Sequence, residues 1–501
     1  MTPPRFVTAA YPAGLALLML SACASVPKLG PAPVVAAPDH YASSRSLGAA
    51  QPAATPAAWP GSGWWQAYGD PQLDTLIAEA LASSPDMAAA AARVRQADAY
   101  AQQAGAARLP TLDVDGSAAE GKQSYNNGIP PAFVPKGWND SARVAATLDF
   151  DLDLWGGNRA AFAAARSEAE AAQLDYAQAA LVLSTGIADA YADLARLFAE
   201  RSVQTTALEI RQQTERLTAD RVASGLDTQA ELKQASAAVP TARADLAATD
   251  EQIALTRNRL AALLGAGPDR GLAIVAPAVS IQPRGIPGDV STDLIGRRPD
   301  VVAARARVEA EASRIKVARA AFYPSVKLSA VLGFQSFGIG NLFSSGSSFG
   351  SAGPAISLPI FRGGELQGKY RGARATYDAS VASYDRTVTD AYRAVADAVV
   401  SQRALGERLG HSEQALADSQ AAYAVAKQRY EGGLSTFLDV LSAQDRALQA
   451  LRTVADLKAR AFTLDVALVR ALGGGFTAPA AASAALNTDP IIIKDKDHNR
   501  G

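Results

Sequence analysis

Little in this chain is suited to covalent chemistry. Among 501 residues there is one cysteine, Cys23, and three histidines, of which His40 and His498 lie in the flanking segments. No nucleophile elbow, phosphate loop or metal-ligand spacing accompanies them, so an enzyme is not expected. The polar residues that do cluster lie on regular patterns. Leu438, Asp439, Ser442, Asp445 and Arg446 fall within two helical turns, a spacing that is often only a solvated helix face. Asp149 and Asp151 occupy alternate positions of a strand pattern, which puts both on its wet face.

Cys23 ends the run Leu20-Ser21-Ala22-Cys23, after Arg5 and an apolar stretch through Ala10, Ala13, Leu15, Leu17 and Leu18. A basic flank with a short apolar segment marks a secretory signal, too short to span a membrane. Its ending resembles a bacterial lipobox, whose cysteine receives the lipid; the bland alternative is an ordinary signal peptide with an incidental cysteine. Ala24, not Asp, follows, and by resemblance to lipoprotein sorting signals this favours the outer membrane. Acylation would consume the only thiol, leaving none for disulfides or metals. No cofactor is expected besides that covalent lipid.

Net charge is -1, so there is no basic field for nucleic acid. The 49% apolar fraction is inflated by alanine, and aromatics are only 7%; such a chain suits thin, closely packed helices.

The elements that must position these residues occur twice. Pro85-Asp86 leads through a helical pattern to Pro110, and Pro299-Asp300 does the same to Pro324. Gly156-Gly157 recurs as Gly363-Gly364, and Arg221-Val-Ala-Ser-Gly225-Leu226-Asp-Thr228 as Arg429-Tyr-Glu-Gly-Gly433-Leu434-Ser-Thr436. A period this long means two copies of a domain-sized unit. We divide the chain into a signal peptide (1–22), a lipidated tether (23–60), a first repeat (61–284), a second repeat (285–475) and a mobile tail (476–501).

Four strands are expected, at about 111–121, 141–155, 325–336 and 351–361. In the second, Val144, Ala146, Leu148, Phe150, Leu152 and Leu154 alternate with Arg143, Thr147, Asp149, Asp151 and Asp153, which is period two with one greasy and one wet face. Segments of about ten residues can cross a bilayer when tilted; alone, each could equally be a half-buried soluble sheet. Four strands cannot close a barrel and open edges are not tolerated in lipid, so spanning strands would have to be pooled by several chains. Residues 158–223 and 365–431 read as long helices of roughly 100 Å. Shorter helices at 85–108 and 228–264 nearly match one long helix when stacked end to end. Heptads at Leu232, Val239, Leu246, Ile253 and Leu260 signal coiled-coil packing, and Pro240 should kink or locally unwind that helix.

Arg297-Arg298-Pro299-Asp300, Phe322-Tyr323-Pro324-Ser325 and Arg429-Tyr430-x-x-Gly433 closely resemble the TolC-like outer-membrane factors, and with the lipobox the NodT/OprM-type lipoprotein branch. The resemblance implies a mainly α fold with a transmembrane β-barrel: a homotrimer whose duplicated helical hairpins form a periplasmic α-barrel below twelve pooled strands, held among outer-membrane lipids. A mixed equatorial region would include 265–298 and the residues after Gly473. The chain would be the passive exit duct of a tripartite efflux system, partnered by a periplasmic adaptor and an inner-membrane transporter of RND type. Gly225, Leu226 and Thr228, with Gly433, Leu434 and Thr436, then match the adaptor-docking tips. Leu438, Asp439, Ser442, Asp445 and Arg446 fall where relatives constrict the tunnel, and Asp149 and Asp151 would face the pore. The chain departs from the pattern: Ser442 stands where the gate carboxylate is expected and Asp445 where its arginine would be, so Asp439 or Asp445 takes over with Arg446. Two rivals share part of the pattern. A periplasmic adaptor should carry lipoyl-like motifs and one hairpin; a structural coiled-coil lipoprotein would not need amphipathic strands.

Overall fold

A computed structural model describes residues 25–36, 41, 58–281, 287 and 290–478. Cys23, the signal segment and most of the expected tail lie outside them. After a 3-10 turn at Trp64–Tyr68 come α1 (Pro71–Ser83), α2 (Pro85–Ala106), β1 (Thr111–Gly121), β2 (Asn139–Asp151), α3 (Gly157–Ala223) and α4 (Gln229–Leu263). Two short helices follow, α5 (Asp269–Leu272) and α6 (Val290–Arg297), then α7 (Pro299–Ala320), β3 (Ser325–Phe337), β4 (Ser348–Ser357), α8 (Glu365–Glu431) and α9 (Phe437–Ala471).

The duplication is visible in helix lengths. α2 and α7 each have 22 residues, α3 and α8 have 67, and α4 and α9 have 35. At 1.5 Å per residue the long helices span about 100 Å, and a 22-residue and a 35-residue helix end to end span about 86 Å. Pro85 and Pro299 each begin a helix, where the missing N–H costs nothing. α4 remains helical through Pro240, so the expected unwinding does not occur.

The sheet is antiparallel in the order β1-β2-β3-β4. Its register keeps parity: Leu112 faces Leu148, Leu148 faces Ala330, Phe150 faces Leu328 and Val326 faces Ile356. These apolar residues therefore share one face. Both ends differ from the sequence reading. β2 stops at Asp151 because Asp153 turns to φ 43° and its carboxylate accepts from the backbone N–H groups of Asn158 and Arg159 at 2.9 Å. The free donors of the first turn of α3 thus take a residue that periodicity gave to the strand. β4 ends before Pro359, which has no N–H to give a ladder, and it tolerates Pro354 because one of its edges is unpaired.

Cores lie along the helices. One gathers Trp64, Tyr68, Leu73, Ile77, Ile187, Tyr191, Leu260, Phe462 and Val466 near the middle of α3, where Tyr68 donates to Asp465 at 2.7 Å and Tyr191 to Asp70 at 2.6 Å. Gly473, Gly474 and Gly475 thread past it: a Cβ there would meet the Arg297 carbonyl, the Leu181 side chain and the Gly61 backbone within 2.2 Å. A second of the four joins α6, α7, the upper part of α8 and the end of α9. Part of the segment read as a free tether packs on it. Arg374 donates to the carbonyls of Gly30 and Pro31, Tyr377 to that of Pro33, and Asp385 accepts from the Ala36 N–H and from Tyr41. Proline-rich backbone has carbonyls but few donors, and the α8 side chains supply the donors.

Candidate functional site

The predicted site residues fall in two regions, one at each end of the helices. At the far end from the sheet, α3 turns into α4 and α8 into α9 by the same device. The N–H of Gly225 bonds the Val222 carbonyl and that of Leu226 bonds the Arg221 carbonyl; Gly433 to Tyr430 and Leu434 to Arg429 repeat it. This is the Schellman closure, which needs a left-handed residue, and Gly225 and Gly433 supply φ 71° and 72°. Each following helix opens with a capping box. Thr228 exchanges bonds with Glu231, and Thr436 with Asp439, whose carboxylate accepts from the Thr436 N–H at 2.9 Å. The apolar residue of each turn is left in solvent: Leu226 is 66% and Leu434 72% exposed.

Between the turns sits a lock that sequence reading missed. Arg221 pairs with Asp227 at 2.9 Å, donates to the Tyr430 carbonyl at 2.7 Å and lies 4.2 Å from the centre of the Tyr430 ring. The Tyr430 hydroxyl donates to Asp227. The ion pair is nearly closed to water, with Arg221 12% and Asp227 7% exposed. Burial opposes ionisation of Asp227, but the hydrogen bonds from Arg221 and Tyr430 and the Arg221 charge outweigh it and hold the carboxyl below its usual range. A signal was present in the turn sequence, since only the first copy carries an acidic residue after Gly-Leu.

Leu438, Asp439, Ser442, Asp445 and Arg446 all lie on the exposed side of α9, opposite the buried Phe437, Val440, Gln444 and Ala447. The fold brings them onto one face but does not give them one role. Asp439 is committed to its cap, and the Thr436 N–H and hydroxyl hold its carboxyl below the usual range. Asp445 and Arg446 make no ion pair among the described residues and border a shallow groove with Ser412 and Gln449.

At the other end, the apolar face of the sheet is bare. Leu112, Val114, Leu332 and Ile356 are each about 70% exposed. Asp149 and Asp151 fall on the opposite face, Asp149 opposite Thr111 and Ser329, and Asp151 opposite Lys327. β1 and β4 are edge strands with no second partner among the described residues. No described helix is long and apolar enough to cross a membrane.

Long helical hairpins below an amphipathic four-stranded sheet define an outer-membrane channel that extends into the periplasm. The chain belongs to the outer membrane efflux protein family, whose pattern matches residues 76–266 and 290–474. It is similar to the pyoverdine export outer membrane protein OpmQ of Pseudomonas aeruginosa, at 30% identity over 92% of this chain and 96% of that protein. It also resembles the fusaric acid resistance protein FusA of Burkholderia cepacia, at 38% identity over 64% of this chain; the match spans 61% of FusA. Among solved structures, the outer membrane protein VceC of Vibrio cholerae matches with a TM-score of 0.80 and 44% identity, over 83% of this chain and all of that one. The protein is an outer-membrane efflux channel of a tripartite efflux system, as the TolC-like resemblance implied, and not an enzyme. Channels of this kind form trimers in efflux systems.

Proposed function

We propose that three copies pool their strands into one twelve-stranded barrel, with Asp149 and Asp151 facing its lumen, and that the duct is anchored by lipid at Cys23 and engaged by an adaptor at its tips. The observation that carries this is the sheet itself, with an apolar outer face and an unpaired strand at each edge. Neighbouring strands alternate in direction, so with four per chain β4 of one copy runs antiparallel to β1 of the next. Closure then gives partners to the edge donors and acceptors that lipid could not satisfy, with Pro354 the one β4 position that has no N–H to give. Packing of residues 25–36 beside the sheet-proximal part of α8 supports the lipid anchor, because it starts the mature chain close to the barrel.

Adaptor docking falls to Gly225, Leu226, Thr228, Gly433, Leu434 and Thr436, where exposed leucines project from rigid capped turns. The adaptor joins the duct to an inner-membrane transporter of RND type. The cargo is chosen by the pump, which is another polypeptide. The tunnel mouth is closed by Leu438 and ringed by Asp445 with Ser442 and Arg446, while Asp439 serves mainly to cap α9. Three inward carboxylates repel one another and attract cations; opening follows from adaptor binding that favours the splayed state.

The test is fractionation of Cys23→Ser protein. It should lose acylation and still need detergent for extraction, as a species of three chains by native mass spectrometry; soluble monomer would sink the pooled barrel. At the tips, Leu434→Asp should assemble normally and lose cross-linking to the adaptor. At the mouth, Leu438→Ala should raise single-channel conductance in planar bilayers, and Asp445→Asn should lower cation preference. Unchanged values in both would place the constriction elsewhere.

A further inference from the structure

Hydrophobicity alone does not say which way the first turns of α9 should face. Phe437, Leu438, Val440, Leu441, Ala447 and Leu448 spread over about half the circumference of a helix with 3.6 residues per turn. In the structure Phe437, Val440, Ala447 and Leu448 are buried and Leu441 is half-buried, while Leu438 is 64% exposed. A rotation of about 60° would carry Leu438 inward and Val440 and Ala447 outward, exchanging one apolar face for another of similar size. At the centre of the buried arc stands a polar residue, Gln444, which is 2% exposed.

The Gln444 side chain meets α3. The hydroxyl of Thr214, itself buried, donates to its Oε1 at 3.0 Å. Tyr423 of α8 bonds the Thr214 side chain from the third helix. One turn nearer the tip, Thr218 donates to the Thr214 carbonyl at 2.9 Å and bonds Tyr430 of the lock. A buried amide that loses its partner costs more than the bond itself contributes, and the low dielectric between the helices raises that cost. Rotation of α9 would part Gln444 from Thr214 while changing apolar contact little. One buried polar pair among interchangeable apolar contacts is a way to specify how helices sit together, at some cost in stability.

We propose that Gln444 is a positioning residue: its bond to Thr214 fixes the rotation of α9 on α3, and so decides that Leu438, Ser442 and Asp445 face away from the protein while Val440 and Leu441 face in. That these three residues line the tunnel mouth is taken from the reading above; the rotation itself does not depend on it. With the rotation fixed, every copy presents the same side chains to the opening. Gln444 contributes a defined geometry, not stability. A methionine of similar size would pack as well in its place, and the exposed face would then drift between neighbouring rotations.

The experiment places a cysteine at Ser442→Cys or Leu441→Cys in the full-length channel in detergent and measures its reaction with a small water-soluble methanethiosulfonate by mass spectrometry. Ser442→Cys should react faster than Leu441→Cys. Gln444→Met and Thr214→Val should each lower that ratio of rates by about fivefold, the weight of one ordinary hydrogen bond, with the melting temperature unchanged or raised. Thr214→Ser keeps the hydroxyl and should keep the ratio. In planar bilayers Gln444→Met should spread the single-channel conductance over several levels. An unchanged ratio in both Gln444→Met and Thr214→Val, loss of the ratio in Thr214→Ser, or a lower ratio reached only with a fall in melting temperature would each overturn the proposal. A lower ratio at full stability with one unchanged conductance level would support the positioning and count against the mouth assignment instead.

Discussion

The turn at Ser224–Thr228 and the turn at Gly432–Thr436 are the same local structure in different settings. Both use a left-handed glycine, a Schellman closure and a threonine capping box. Arg221 of the first is buried against Asp227 and Tyr430, whereas its counterpart Arg429 is exposed and reaches only the Leu434 carbonyl at 3.3 Å. The reason is two positions. Ser435 replaces Asp227, so Arg429 has no carboxylate, and Val222 stands where the second copy has Tyr430. Local turn chemistry was thus kept in both copies, while the contact that ties one hairpin to the other resides in the first turn alone. The two tips are alike in local shape and unequal as mechanical parts.

Removing the lock should break the comparison most. Asp227→Ala leaves the Arg221 charge buried without its carboxylate, a loss of about 3 kcal/mol. Amides of 222–230 should then exchange on the order of a hundredfold faster by hydrogen-exchange mass spectrometry. The same lock predicts an acid response. The folded Asp227 carboxyl titrates below its ordinary value, so its contribution is complete above about pH 3.9 and is lost as pH falls through the lower folded value. Tip protection, corrected for intrinsic exchange, should stay level from about pH 8 to 5 and fall only below about 4; a loss near neutrality would contradict the pairing.

Substituting the turn glycines tests what the copies share. Gly225→Ala and Gly433→Ala meet no neighbour within 4 Å, so each should cost only the left-handed backbone penalty, roughly 1–2 kcal/mol. Equal effects on local exchange support one shared turn, and a twofold disparity in free energy would mean that the environments dominate. Thr228→Ala and Thr436→Ala should each cost about 1 kcal/mol through the lost cap, seen as faster exchange in the first turns of α4 and α9. Smallest is Arg429→Ala, within about 0.5 kcal/mol as for an ordinary surface change. An effect matching that of Asp227→Ala would show that the second arginine has a buried partner in the assembled channel.

Much of this molecule was legible in the sequence because its signals are local. Strand alternation from Val144 to Phe150, the prolines that start α2 and α7, and the Gly-Leu-x-Thr turns each depend on neighbours a few residues away. Reading went astray where a local pattern met a competing partner. Asp153 continues the alternation of β2 but is taken by the donors of α3.

By itself the sequence determined the duplication, the helix and strand periods and the polarity of the strands, because backbone geometry turns residue spacing directly into faces. Only tertiary structure decided which charges are spent inside the protein and which remain available. The lock joins Arg221 to Tyr430 across 209 residues, and residues 30–33 find their donors on α8 more than 340 residues away. Trp155 and Tyr323 meet across the α3–α7 seam with Arg159 and Lys316 beside them. No periodicity encodes these pairs, because they depend on how two long helices are laid side by side.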